Sequence, residues 1–252
     1  LPLSYWYWID NFVYDQPQEG QLKIIDSYVK ACTARGFHLS FNVHRAPGYC
    51  INGNDREKHN LWLDKKAQDA FTHMWGLFAS RYTSYSPEQL SFDLLNEPPN
   101  INQYGMTREN HRSIMLRTIK AIRKENRERI ITLDGLGGGN LAMPEMADTG
   151  CIQSVRGYQP MSITHHGASW CSETQGLGLQ DWPGALYENQ TWTKKTVREH
   201  YKPWRELAAT GVSVHVGEMG CYDTIPNETA LTWFKDIFDL YREFRWGFAL
   251  WN

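Results

Sequence analysis

The chain is short of the features that usually place a sequence in a class. None of its apolar stretches approaches the ~18 residues of a bilayer span, so nothing in it is expected to cross a membrane. No block of lysine or arginine stands out. The 26 basic and 28 acidic residues give a formal charge of −2, so no nucleic acid is expected as a partner. Five cysteines, an odd number without a C-x-x-C pair, disfavour zinc and leave at least one thiol out of any internal pairing. Cys50 and Cys171 both fall in expected loops, and whether they meet stays open. No G-x-G-x-x-G follows an apolar run. The GLGGG stretch at 135–139 lacks the helix and the acidic partner of a dinucleotide site. His165 and His166 are adjacent, so on a strand they point to opposite faces and make a poor metal pair. No metal and no cofactor is therefore expected. There is no linker, no repeat of fixed period and no low-complexity segment.

What the chain has is aromatic rings. Eleven Trp, thirteen Tyr and ten Phe occur in 252 residues. Trp6, Trp8, Trp170, Trp182 and Trp192 lie beside Gly, Pro, Asn or Asp, in segments that read as loops. Such rings either fill gaps in a large core or lie open, where a flat apolar face with polar edges suits a sugar.

Apolar runs alternate with amphipathic segments. Leu22, Ile25, Val29 and Cys32 share a helical face that Gly36 closes, and HLSFNVH at 38–44 reads as a strand. Further helical faces run through Ala70–Phe78, through Met115–Ile122 behind an N-cap at Thr107, through Val197–Ala208 up to Gly211, and through Leu231–Tyr241. Strands are expected at 90–96, 129–135, 157–165, 212–218 and 246–251, nearly apolar throughout. The one at 157–165 carries a proline, which makes its start irregular. Alternation of this kind predicts parallel strands covered by helices, either a doubly wound sheet or a closed barrel. Polar residues gather at the C-terminal strand ends: His44 and Arg45, Asn96 and Glu97, His165 and His166, Glu218, Trp251 and Asn252. In a barrel those ends share the face on which active sites are built.

Two of these residues are glutamates on distant strands, Glu97 in NEP and Glu218 in VGEMG. A pair of carboxyl groups is what glycoside cleavage needs, one to protonate the departing oxygen and one to attack the anomeric carbon or activate water. Their pKa values must be pushed apart. Asn96 beside Glu97 is suited to hold a sugar 2-hydroxyl. A lone glutamate at a strand end is otherwise an ion-pair partner or a helix cap.

The motifs HRAPG (44–48), FDLLNEP (92–98), THHGASW (164–170), HVGEMG (215–220) and WGFALWN (246–252) follow one another in an order and spacing that resemble the retaining glycoside hydrolases of family 5, among the clan A barrels. The resemblance runs over essentially the whole chain. It implies a (β/α)8 barrel, α/β in class, as one domain over 1–252. Glu97 would be the acid/base after strand 4 and Glu218 the nucleophile after strand 7, with carboxyl groups about 5–5.5 Å apart. It also implies a substrate-binding set: Asn96, His44 at the end of strand 3, His165 at the end of strand 6, and Trp251 under the glycone. Trp6 and Trp182 join that set as loop aromatics. In the family a tyrosine stands two positions after the strand 6 histidine and bonds the nucleophile. Gly167 stands there when His165 takes the histidine's place.

Counting strands from the two glutamates makes Leu1-Pro2-Leu3 the tail of strand 2. The expectation is then a barrel incomplete at both termini, without strand 1, helix 1, most of strand 2, its arginine, and helix 8. Open strand edges of that kind favour a homodimer that covers them. The expected substrate is a β-linked oligo- or polysaccharide. An extended groove lined by tryptophan points to an endo-β-1,4-glucanase, with a β-mannanase or β-1,3-glucanase as alternatives and a non-catalytic carbohydrate-binding barrel as the alternative of another class. No signal peptide is visible, and secretion is the expected fate of such an enzyme.

Overall fold

Side-chain alternation shapes the strands of the first of two units, Leu1–Gln153. The computed structural model describes residues 1–251; Asn252, counted with Trp251 at the last strand end, lies outside them. Five strands belong here: β1 (Pro2–Ser4), β2 (Leu39–Ala46), β3 (Tyr49–Cys50), β4 (Leu90–Asp93) and β5 (Ile131–Asp134). β1, β2, β4 and β5 lie side by side in that order, all parallel, and β3 folds back antiparallel on β2. The helices are α1 (Glu19–Thr33), α2 (Lys65–Arg81) and α3 (Arg108–Glu125), with a one-turn α4 (Leu136–Gly139).

These strands are less uniformly apolar than expected. Phe41, Val43, Phe92, Ile131 and Leu133 are buried, and Phe41 packs on Phe78 of α2 and stacks on Phe92 at 5.8 Å. The residues between them are polar: Asn42, His44, Ser91, Asp93, Thr132 and Asp134. Since neighbouring side chains point to opposite faces, the face away from the helices is hydrophilic. There Asn42 Nδ2 donates to Asp93 Oδ2 at 2.7 Å. α2 buries Ala67, Ala70, Phe71, Met74, Trp75, Phe78 and Ala79, the spacing of one helical stripe. Thr107 caps α3 as expected, in a reciprocal capping box with Asn110. Gly36, at φ +74, follows α1.

The second unit runs from Ser154. It holds most of β6 (Ile152–Gly157), a turn of helix α5 (Met161–Thr164), the hairpin β7 (Ala185–Tyr187) and β8 (Gln190–Trp192), helices α6 (Lys194–His200) and α7 (Lys202–Ala209), β9 (Val214–Met219), α8 (Asn227–Phe244) and β10 (Phe248–Leu250). β6, β9 and β10 are neighbours in that order.

Two expectations need correction here. The strand placed at 157–165 lies at 152–157, and the segment after it turns through Gln159-Pro160 into α5. The proline, which cannot donate to a ladder, marks the end of that strand and not an irregular beginning. The single helix expected through Val197 and Ala208 is two, broken at Tyr201, because Pro203 has no N–H to continue the first. Three of the loop tryptophans are core: Trp8, Trp182 and Trp192 are buried. All five cysteines are free thiols, Cys50 and Cys171 included. Among the described residues no helix is long and apolar enough to cross a membrane.

Candidate active site

The first unit delivers Glu97. β4 ends at Asp93, but its ladder runs on, with Leu94 N–H donating to Thr132 O at 3.1 Å and Asn96 N–H to Val43 O at 3.0 Å. Asn96 is buried, while Glu97 is half-buried. Glu97 has φ +48, the left-handed region that costs a non-glycine residue about 1–3 kcal/mol and persists only where the surroundings enforce it. The enforcement is visible. Glu97 N–H donates to Asp134 Oδ2 at 3.0 Å, and Tyr49 Oη donates to Glu97 O at 2.6 Å. Burial, and next the charge of Glu97, push the Tyr49 phenol well above its usual pKa, so it stays a donor.

The two prolines that follow are clamped as well. Gly138 N–H donates to Pro98 O at 2.9 Å and Gly137 N–H to Pro99 O at 3.0 Å. Both glycines are at positive φ, 62° and 65°, which is what turns their N–H groups toward the prolines. The GLGGG stretch thus seats the NEPP segment.

His44 lies on β2, half-buried, beside the Val43 whose carbonyl takes the Asn96 N–H. Its neighbour Arg45 belongs to a tight group: Arg45 Nη1 meets Glu57 Oε1 at 2.5 Å, Tyr5 Oη donates to Glu57 Oε2 at 2.7 Å, and the Arg45 guanidinium stacks on the Trp6 ring at 4.0 Å. Trp6 keeps 45% of its surface exposed.

The second unit delivers Glu218, near the C-terminal end of β9 and buried. Tyr158 Oη donates to its Oε2 at 3.0 Å, and Arg156 Nη2 lies 3.4 Å from its Oε1. Each carboxylate oxygen therefore faces at least one donor. His165 is not at a strand end; it follows α5 as its C-cap. Its ring packs edge-on against Tyr158 at 4.9 Å. Thr164 Oγ1 gives its single proton to Tyr158 O at 2.6 Å, so the His165 Nδ1 that contacts the same Oγ1 at 2.9 Å carries a hydrogen. Burial lowers the His165 pKa and keeps the ring neutral. In this unit His165 supports Tyr158.

Trp251 follows β10, its N–H donating to Met219 O at 2.8 Å, and its ring is 44% exposed. Gly220 has no space for a Cβ because Trp251 O occupies it. Trp182 is not an open sugar platform: its ring is buried and its Nε1–H donates to Asp236 Oδ2 of α8 at 3.1 Å.

Four residues of these two strand ends were not singled out from the sequence. Tyr158 donates to the Glu218 carboxylate from Arg156-Gly157-Tyr158, with arginine two positions before it. The expected pattern is a tyrosine two residues after a strand-end histidine; here an arginine stands in that histidine's place, at the end of a strand that lies earlier than 157–165. Asp134 closes an apolar strand and was open to the same reading as Asn96. Arg156 and Tyr49 left no local signal. Among the described residues no group of three or more His, Cys, Asp or Glu is arranged to hold a metal ion.

Comparison with known proteins places these strand ends in context. The family description "Cellulase (glycosyl hydrolase family 5)" matches residues 2–252. A crystal structure described as that of a glycoside hydrolase is 53% identical, with a TM-score of 0.98 over 100% of this chain and 76% of its own. Thermotoga maritima Cel5A, solved in complex with cellobiose, is 20% identical with a TM-score of 0.79, again over 100% and 76%. The cellulose synthase subunit Z of Clostridioides difficile is 19% identical with a TM-score of 0.76, over 100% and 78%. No curated protein matches the chain. The fold is α/β, of the (β/α)8 barrel class.

Proposed function

The chain belongs to glycosyl hydrolase family 5, and from that premise we propose that it cleaves a β-linked polysaccharide by double displacement, with Glu218 as nucleophile and Glu97 as acid/base. The observation that carries the reading is the grip on Glu218: a phenol and a guanidinium, one to each oxygen, stabilise the anion that must attack. In the first step Glu218 forms a bond to C1 while Glu97 gives its proton to the leaving oxygen. In the second, Glu97 takes a proton from water, the water oxygen bonds to C1, and Glu218 departs as a carboxylate.

The first-choice substrate is a β-1,4-glucan cut internally. Cel5A of Thermotoga maritima has been seen with cellobiose and also with mannotriose, and that pairing keeps a β-mannan as a second reading. Trp6 and Trp251 are the half-exposed rings offered to sugars, and Asn96 and His44 the polar groups of the same role. Product sizes from cello-, manno- and laminari-oligosaccharides, followed with the anomeric configuration of the first product by proton NMR, test the proposal. Retained β-configuration with internal cuts is expected. Hydrolysis no faster than that of Glu218→Ala sinks catalysis, and oligosaccharide binding without turnover selects the carbohydrate-binding alternative.

A further inference from the structure

The donors on Glu218 are of different kinds. The tyrosine matches the family pattern, whereas the arginine two positions earlier stands where that pattern has histidine. Arg156 is only 2% exposed. A guanidinium so deeply placed costs several kcal/mol to desolvate and is kept only where its charge is answered. Besides Glu218, its Nη1 donates to Ser154 Oγ at 3.1 Å, on the same strand. The neighbouring strand is shaped to admit it: a Cβ at Gly217 would overlap Ser154 Oγ and stand 2.8 Å from Arg156 Nη1. A side chain at position 217 would meet Ser154 Oγ first and the guanidinium next. Titratable groups of this unit near the pair include Tyr158, His165 against the Tyr158 ring at 4.9 Å, His215 three residues before Glu218 on β9, and the phenols Tyr201 and Tyr241, which bond each other at 3.0 Å. Burial raises both of these phenols, so they bring no charge.

We infer that Arg156 is a positioning residue that holds Glu218 as an anion and makes it a good leaving group when the glycosyl-enzyme is hydrolysed. Unlike histidine, arginine keeps its charge at every working pH, so the nucleophile's partner does not titrate. The inference rests on Glu218 being the nucleophile. A carboxylate answered by a fixed cation leaves C1 more easily, and one deprived of it binds its proton, and C1, more strongly.

The test uses the full chain labelled with 13C at glutamate carboxyl carbons, with the Glu218 resonance assigned by its loss in Glu218→Gln. In Arg156→Gln the titration midpoint of Glu218 is expected to rise by about one pH unit or more. In Ser154→Ala, which only frees the guanidinium, it rises less but in the same direction. An unmoved midpoint in Arg156→Gln overturns the inference; where that variant does not fold, an unmoved midpoint in Ser154→Ala does so. A dinitrophenyl β-glycoside supplies the second readout. Arg156→Gln should release a burst of dinitrophenolate equal to the enzyme present, then turn over slowly as glycosyl-enzyme accumulates. A merely structural role would lower burst and steady state together. A wild type that never turns over defeats the nucleophile assignment, and the titration still decides whether Arg156 holds the charge.

Discussion

The bonds described for the two glutamates reach different atoms. Glu97 is fixed through its main chain: its N–H by Asp134, its carbonyl by Tyr49, and the prolines beyond it by two glycine N–H groups. Glu218 is fixed through its carboxylate, by Tyr158 and Arg156. The contrast matches the proposed roles. An acid/base changes its protonation twice in each cycle, and main-chain bonds set its place whatever that state is. A nucleophile must stay ionised, and donors on both oxygens favour that one state.

The largest effect should break this comparison outright. Glu218→Ala is expected to lose on the order of 10⁴-fold or more in kcat on any substrate. Glu97→Ala loses about 10²–10⁴-fold on natural glycans, but much less in the first step with a dinitrophenyl glycoside, whose leaving group needs no proton. Azide then distinguishes the two. With Glu97→Ala it attacks the glycosyl-enzyme and gives a β-glycosyl azide; with Glu218→Ala it attacks the substrate directly and gives the α product. Identical azide products from both variants would overturn the assignment of roles.

Tyr49→Phe comes next, because it tests the main-chain anchor alone. It leaves the Glu97 carbonyl without its phenol donor in a buried setting, at a cost of about 1–3 kcal/mol. It should also release the strained φ of Glu97. The expected result is a lower unfolding midpoint together with a fall in kcat at nearly constant KM. Lost stability with unchanged kcat would mean that Tyr49 serves the fold and not the acid/base.

Most of the scaffold was legible because periodicity reports burial directly. The stripe of α2, the cap at Thr107 and the strand at 90–96 are consequences of which side chains leave water, and each is local. The two glutamates were legible because both sit where apolar runs stop. The grip on them was not. Asp134 and Tyr49 reach Glu97 from 37 and 48 residues away, and Tyr158 reaches Glu218 from 60. Such pairings depend on strand register, and a strand read a few residues late moved His165 into the place of Arg156. Tryptophan misled for a related reason: flanking Gly, Pro and Asp mark a turn, but a turn can still lay its ring inward, as Trp182 does.

The units can also be compared through two imidazoles, the buried His111 in the first and the half-buried His200 in the second. Burial lowers them to about 3 and about 4. An unfolded histidine titrates near 6.5, so as pH falls below ~6.5 the unfolded chain takes up protons that the folded chain refuses. Stability is therefore lost toward acid, by about 1.4 kcal/mol per pH unit for each group and about 2 kcal/mol each by pH 5. Urea unfolding at pH 7 and pH 5 measures it. His111→Gln and His200→Gln should each flatten the pH dependence by a similar amount, whatever they do to stability at pH 7. A slope that moves in only one of them would assign the acid sensitivity to that unit alone.

The smallest effect concerns an exposed ring of the first unit, Trp6. Trp6 is half-exposed, and its hidden side is braced by Arg45, itself locked by Glu57 and Tyr5. A ring fixed this way loses little freedom when a sugar stacks on its open side. Trp6→Ala should therefore weaken long oligosaccharides by about 0.5–1.5 kcal/mol, a rise of roughly 2- to 13-fold in KM, and leave kcat for short aryl glycosides unchanged. Arg45→Met keeps most of the stem over the ring but removes the ion pair, and should give part of the same rise. If KM for long and short substrates rises equally in Trp6→Ala, the ring supports the β1–β2 region and does not meet the glycan. In that case the sugar platform must be sought at another exposed ring, Trp251 first.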